Sequence, residues 1–244
     1  MRSNKSSMKQ ILLTFTFIFF LSNLLGQKTE LNGALNSGLF SFSGLTARGT
    51  TSINWDDRTN SGYTNGVYGS KSALCYGISF NLNRVTKRNF LFGTDLGFET
   101  LRSKISIDRI DGYTGNSTYQ YSATGKAFLI SGCLNFNPFL GYRITSDNIS
   151  FDLTSGIEVG YRLSSTEKGN ATATNGIRYS VSQDYKTIGV DIRPDIKVSA
   201  KYKKIGMYSG YTYGLLNYEM WVKGDGRWES YSRLIRFGVT YQIN

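Results

Sequence analysis

Between Ile188 and Tyr202 every second residue is apolar apart from one proline (Ile188, Val190, Ile192, Pro194, Ile196, Val198, Ala200, Tyr202), while the positions between them read Gly189, Asp191, Arg193, Asp195, Lys197, Ser199 and Lys201. Successive side chains of a strand point to opposite faces, so this two-residue period predicts a strand with one apolar and one charged face. The same alternation predicts strands over Leu74–Leu82, Phe90–Phe98, Phe128–Tyr142, Ile149–Leu163, Ile205–Leu215 and Tyr231–Ile243. A first strand falls near Asn32–Phe42. There Leu35 and Leu39 disagree in parity with Phe40 and Phe42, which predicts a bulge. Pro138 and Pro194 fall inside predicted strands, and each removes a ladder hydrogen bond, so local bulges are expected there too.

The connections alternate strictly in length. Those near Val85–Asn89, Ile144–Asn148 and Lys203–Lys204 are tight, whereas Leu45–Lys71, Ile110–Gly125, Ser164–Tyr185 and Glu219–Glu229 are long and rich in Gly, Ser, Thr, Asn and Tyr. Eight strands joined in this way predict an all-β fold: a closed eight-stranded antiparallel up-and-down transmembrane β-barrel with short turns at one end and long loops at the other. A soluble secreted ligand-binding barrel would show the same alternation with its apolar face inside. The glycines separate the two. Gly77, Gly93, Gly97, Gly156, Gly160, Gly189, Gly206, Gly210 and Gly214 share the polar parity, where a solvated surface would gain nothing from them but a narrow lumen needs the room. The Phe- and Tyr-rich opposite face suits lipid, so Ile157, Val159, Ile192, Val198 and Phe237 are expected outside.

Upstream, Arg2, Lys5 and Lys9 precede a short apolar run from Ile11 to Leu25 that ends at Gly26. This predicts a signal peptide over residues 1–26 and a barrel domain over 27–244. Without the leader, 25 of the 28 basic residues face all 17 acidic ones, a net charge of +8. Export and the lack of a nucleic-acid motif exclude nucleic acid as partner. Outer-membrane lipid and anionic lipopolysaccharide are the expected contacts.

The segments Asn137-Pro138-Phe139-Leu140-Gly141-Tyr142-Arg143 and Ser155-Gly156-Ile157-Glu158-Val159-Gly160-Tyr161, with the final Ile235–Ile243, resemble the PorT-like family of outer-membrane β-barrels of Gram-negative bacteria that use type IX secretion. The resemblance spans essentially the whole chain after the leader and implies an eight-stranded fold. It carries no catalytic residues. Leu35–Gly44 (Leu-Asn-Ser-Gly-Leu-Phe-Ser-Phe-Ser-Gly) looks like a signature of that family.

The chain contains no histidine, which removes Ser-His and Cys-His nucleophiles and the usual His-containing zinc sites. No cofactor, metal site or enzymatic activity is expected. Asp95 and Glu99 opposite Asp152 and Glu158 could form a glycosidase-like carboxylate pair, but the balance of lumenal charge favours salt bridges. The lumen parity holds Asp95, Glu99, Asp152, Glu158, Asp191 and Asp195 against Arg143, Arg162, Arg193, Lys197, Lys201 and Arg236, and confined charges of both signs pair. Cys75 and Cys133 share that parity on strands two apart, further than a disulfide readily reaches, and read as small apolar filler. On the long connections, Trp55, Tyr63, Tyr68, Trp221, Arg227 and Trp228 are candidate contacts for a protein or glycan. The functional expectation is a non-enzymatic integral outer-membrane barrel, structural or surface-binding through its external loops. A component of a secretion or assembly machinery is the alternative, and a lipid-active enzyme is third.

Overall fold

The computed structural model describes residues 28–219 and 227–244; the leader and Trp221 lie outside the described residues. Among those residues the chain forms β1 (Lys28–Ser43), β2 (Thr50–Asp56), β3 (Ser61–Thr64), β4 (Lys71–Val85), β5 (Phe90–Tyr113), β6 (Thr118–Ser146), β7 (Ile149–Ala173), β8 (Arg178–Asp184), β9 (Val190–Tyr202), β10 (Ile205–Tyr213) and β11 (Tyr231–Gln242). Eight of them close a ring, in the order β1, β4, β5, β6, β7, β9, β10, β11. Every neighbour is antiparallel, and β11 pairs back onto β1 from Asn32↔Gln242 to Ser43↔Tyr231. Closure leaves no unpaired edge to face lipid.

The tight turns at one end carry positive φ at Asn89 (65°), Asp147 (49°) and Lys203 (54°). Between these turns and the far end, the outward face is an apolar belt that includes Ile157, Val159, Val198 and Phe237, with Leu140 71% exposed. Ile192 lies on the same face, half-buried. The inward face is polar, as the two-residue period predicts.

Three expectations are corrected. First, β1 has no bulge: its register with β11 and β4 runs unbroken, so Leu35 and Leu39 point out while Phe40 and Phe42 point in. The mixed parity arises because the lumen changes character along its axis. Toward the long-connection end Phe40, Phe42, Tyr68, Cys75, Leu101, Leu129, Cys133, Tyr218 and Leu234 pack with Ile188 into a buried apolar layer. Ile188, expected on the lipid side, therefore lies inside. Both cysteines are free and buried in this layer.

Second, the prolines do not bulge their strands. Pro138 and Pro194 flank Ile157 of β7. Pro194 is its partner on β9, and pairing of β6 with β7 lapses between Phe136↔Val159 and Phe139↔Gly156 and then resumes in the same register. The register shift in this wall sits instead at Gly132/Cys133.

Third, most of the long connections are not loops. β5, β6 and β7 run on well beyond the ring to Tyr113, from Thr118 and to Ala173. β2 adds parallel to the outer part of β5, β3 folds back on β2, and β8 pairs with the outer part of β7. The resulting outer module, in the strand order β3-β2-β5-β6-β7-β8, encloses its own core of Ile53, Ile105, Ile107, Ile110, Ala127, Ala171, Ala173, Tyr179 and Val181. Its two lateral strands meet at Glu167, which is fully buried. This carboxylate accepts from Thr64 N of β3 at 3.0 Å and from Gln183 Nε2 of β8 at 2.7 Å.

Candidate functional site

The lumen is built in layers. Nearest the tight turns, Glu30 of β1 accepts a forked contact from Arg143 of β6 (3.0 and 3.1 Å) and one from Lys201 Nζ of β9 (2.7 Å). Arg143 also forks onto Asp152 of β7 at 2.6 and 2.8 Å. Further in, Lys197 reaches Asp95 at 2.6 Å. Arg236 of β11 spans the barrel to Glu99 at 2.7 Å and Glu158 at 3.0 Å, and Arg193 holds Glu158 at 3.0 Å with Asp191 at 3.8 Å. Asn135 ties the two arginine systems, donating to Glu99 and accepting from Arg193, each at 2.8 Å. Planar guanidinium forks on carboxylates are the strong form of such contacts.

The network fits because small residues stand where long side chains cross. A side-chain carbon added at Gly160 would lie 2.3 Å from Arg193 Nη2, and one at Gly238 would lie 2.4 Å from the Tyr208 ring. Of the twelve charged residues expected in the lumen, the geometry leaves two outside the ion pairs. Arg162 donates to Ile188 O and, at 2.8 Å, to Tyr218 Oη, stacking on that ring at 4.7 Å. It belongs to the boundary with the apolar layer, where Tyr218 and Ser232 donate to Asp191 at 2.8 and 2.6 Å.

Asp195 has no cationic partner within salt-bridge distance among the described residues. Its Oδ1 and the Oδ1 of Asn137 are both without a protein donor, and both residues line a polar cavity of about 90 Å³ between the two arginine layers. Such a cavity is roomy enough for water to satisfy them. Asp195→Asn should therefore change the unfolding free energy by less than about 1 kcal/mol, because it removes a charge without orphaning a partner. Urea unfolding in lipid vesicles measures it, and a loss as large as that of a paired carboxylate would contradict the assignment.

Sequence reasoning missed Glu30, which pairs with Lys28, Arg143 and Lys201 yet sits on the strand whose parity was ambiguous. It also missed Tyr218, at the start of the last connection, and Glu167, whose phase is inverted by the bulge opposite Gly132/Cys133.

At the far tip, the β2–β3 hairpin, the turn between β5 and β6 and the edge of β8 surround an open cleft of about 960 Å³. Trp55 and Tyr63 both line it. Trp55 packs edge-on against Tyr179 with centroids 5.2 Å apart, and Tyr63 is 52% exposed. Tyr113 and Tyr119 complete its aromatic lining. Burial, followed by hydrogen bonding with Tyr179 and Asp57, pushes the Tyr119 hydroxyl above its usual range. Burial would raise Asp111, but Ser52, Gln120 and Arg109 together hold its carboxyl below the usual value. The Arg58 hydrogen bond does the same for Asp56. Both acids stay ionised at neutral pH.

Tyr68, expected as an external contact, is instead buried in the apolar layer, donating to Tyr218 O at 3.2 Å. Its pair of parallel roles, ring in the core and hydroxyl on a carbonyl, is how a buried tyrosine is satisfied. Arg227 and Trp228 are exposed before β11, away from the cleft lining.

Solved structures similar to this chain include the attachment invasion locus protein Ail of Yersinia pestis in complex with the heparin analogue sucrose octasulfate, at 11% identity and a TM-score of 0.36, covering 88% of this chain and 99% of Ail. Neisserial surface protein A (NspA) is similar at 11% identity and a TM-score of 0.37, with 89% and 99% covered. No curated protein matches the sequence. The family model described as outer membrane protein beta-barrel domain matches residues 28–218. With that match over most of its length and a closed ring of eight strands, the chain belongs to the outer membrane protein beta-barrel domain family and resides in the outer membrane.

Proposed function

We propose that this protein is a non-enzymatic surface-binding barrel, in which a sealed membrane ring anchors a rigid external module. The observation that carries this reading is the outer module itself. Three wall strands continue past the ring, three further strands flank them, and the whole encloses a separate apolar core. Mere connections need none of this, since a flexible loop closes a hairpin at small entropic cost. A structured platform holds its side chains in fixed positions, which lowers the ordering cost of binding. A chain without histidine, whose lumen is occupied by paired charges and an apolar layer, offers little for catalysis or transport.

In this reading residues 1–26 export the chain, the tight turns face the periplasm, and the basic surface meets lipopolysaccharide. Within the family, the segments Asn137–Arg143 and Ser155–Tyr161 favour kinship with the PorT-like barrels. These segments lie on neighbouring strands and contribute Arg143 and Glu158 to the lumen network.

The test replaces the module by short turns between Gly49 and Lys71, between Lys104 and Lys126, and between Thr166 and Asp184. The shortened barrel should still insert and show heat-modifiable migration on detergent gels. Cells carrying it should lose the adhesion to host-matrix or glycan-coated surfaces that cells with the full protein show. Equal adhesion by both strains on every surface would overturn the proposal.

A further inference from the structure

The geometry points to the outer cleft as a binding site for a neutral saccharide, an assignment that rests on reading the outer module as a binding surface. The cleft is about 960 Å³, within the size range of small-ligand sites. Its lining combines two chemistries. Trp55, Tyr63, Tyr113 and Tyr119 present aromatic surface, and Asn54, Gln120 and Gln183 with Asp56 and Asp111 present amide and carboxylate groups. A pyranose matches that combination. Its C–H faces stack on aromatic rings, while its hydroxyls donate to carboxylates and both donate to and accept from amides.

Charge decides which saccharide. The chain as a whole carries a formal net charge of +11, yet among the described residues no lysine or arginine lines the cleft, whereas two aspartates do. Arg58, the nearest cation by sequence, is already engaged. It forks onto Asp56 at 2.7 and 3.0 Å and stacks over Tyr113 at 4.8 Å. Asp111 is likewise paired with Arg109 at 2.8 Å and accepts from Gln120 at 2.7 Å. The carboxylates are thus fixed in place as acceptors, and a polyanion entering the cleft finds Arg58 and Arg109 already neutralised by Asp56 and Asp111, with no unpaired cation among the described lining residues to offset its own charge. Sulfated glycans, nucleic acids and lipid phosphates are disfavoured, while uncharged hydroxyl-rich ligands are not.

Exposed Tyr63 is the residue to remove, because it stands on the flanking strand β3 and is outside the module's apolar core. Trp55 is a poorer probe, since its contact with Tyr179 makes it part of that core. The experiment presents the full barrel in lipid nanodiscs to an array of neutral oligosaccharides ending in glucose, galactose, mannose or N-acetylglucosamine, with heparin alongside, and measures affinity for the hits by calorimetry. The expected result is binding to one or more neutral oligosaccharides and none to heparin. Tyr63→Ala should weaken binding about tenfold, the loss of one good aromatic contact. Gln120→Ala should weaken it severalfold, with thermal unfolding of both variants unchanged.

Binding to no neutral oligosaccharide, a preference for heparin, or affinities untouched in both variants would overturn the saccharide assignment. Those outcomes leave the surface-binding proposal standing if the shortened barrel still loses cell adhesion. Undiminished saccharide binding by the shortened barrel would sink both.

Discussion

Replacing Arg236 by methionine should destabilise the folded barrel by about 3–5 kcal/mol, the usual cost of removing one partner from a buried ion pair. Arg236 crosses the lumen from β11 and contacts two carboxylates, Glu99 on β5 and Glu158 on β7. Methionine fills much of the same volume, so the loss is electrostatic rather than steric. Glu99, only 3% exposed, is left with the Asn135 amide alone, and Glu158 with Arg193 alone. Adding Glu99→Gln should recover part of the loss, because the orphaned charge is then gone. Urea unfolding in vesicles, followed by tryptophan fluorescence, measures both. If the single variant is as stable as the parent, Arg236 is solvated and the lumen is not the packed network described.

Introducing arginine at Val159 should cost about 2–4 kcal/mol, the range for a basic residue on the lipid face near the midplane of a barrel. Val159 lies on the outward face of β7, between Phe136 and Ile192 on the neighbouring strands. A long guanidinium there has no carboxylate beside it and must reach the interface to stay hydrated. The same variant placed on a soluble barrel's exterior would cost almost nothing. Vesicle unfolding therefore separates the two environments, and a change below about 0.5 kcal/mol, typical of a water-exposed surface position, would contradict the lipid-facing assignment.

The ring was legible from sequence because its signal is the one a membrane imposes. Lipid on one side and paired charge on the other force strict alternation, and in β9 and the inner part of β7 nearly every residue obeys it. The outer module was illegible because neither condition holds there. Inward positions of outer β7 are Glu167, Gly169, Ala171 and Ala173, and the outward ones Lys168, Asn170 and Thr172, so small residues replace large apolar ones and the hydrophobic contrast fades. Register shifts opposite Gly132/Cys133 and at Ile107/Arg109 also invert the phase midway along β7 and β5. A pattern that weakens and changes phase reads as a loop.

The same limits shaped the site. The paired lumen charges lie on strands with clear parity, whereas Glu30 does not. Its strand also carries Phe40 and Phe42, which point inward with the charged positions but are themselves apolar. That mixture marks the passage from a salt-bridged layer to an apolar one, and periodicity alone treats it as a fault. Trp55 and Tyr63 could be named as contacts from composition. Their meeting with Tyr113 and Tyr119 depends on β2 adding parallel to β5, a long-range pairing with no local sequence signal.

The central claim is that the ring is an anchor with a closed interior. An eight-stranded barrel encloses little more than its own side chains, and here the charged layers around Arg143 and Arg236 are followed along the axis by the apolar layer around Phe42. Purified protein reconstituted in a planar lipid bilayer tests this most directly. The account predicts a quiet baseline with no stable conductance steps across the usual range of voltages; reproducible porin-sized steps would show a continuous aqueous path and contradict it.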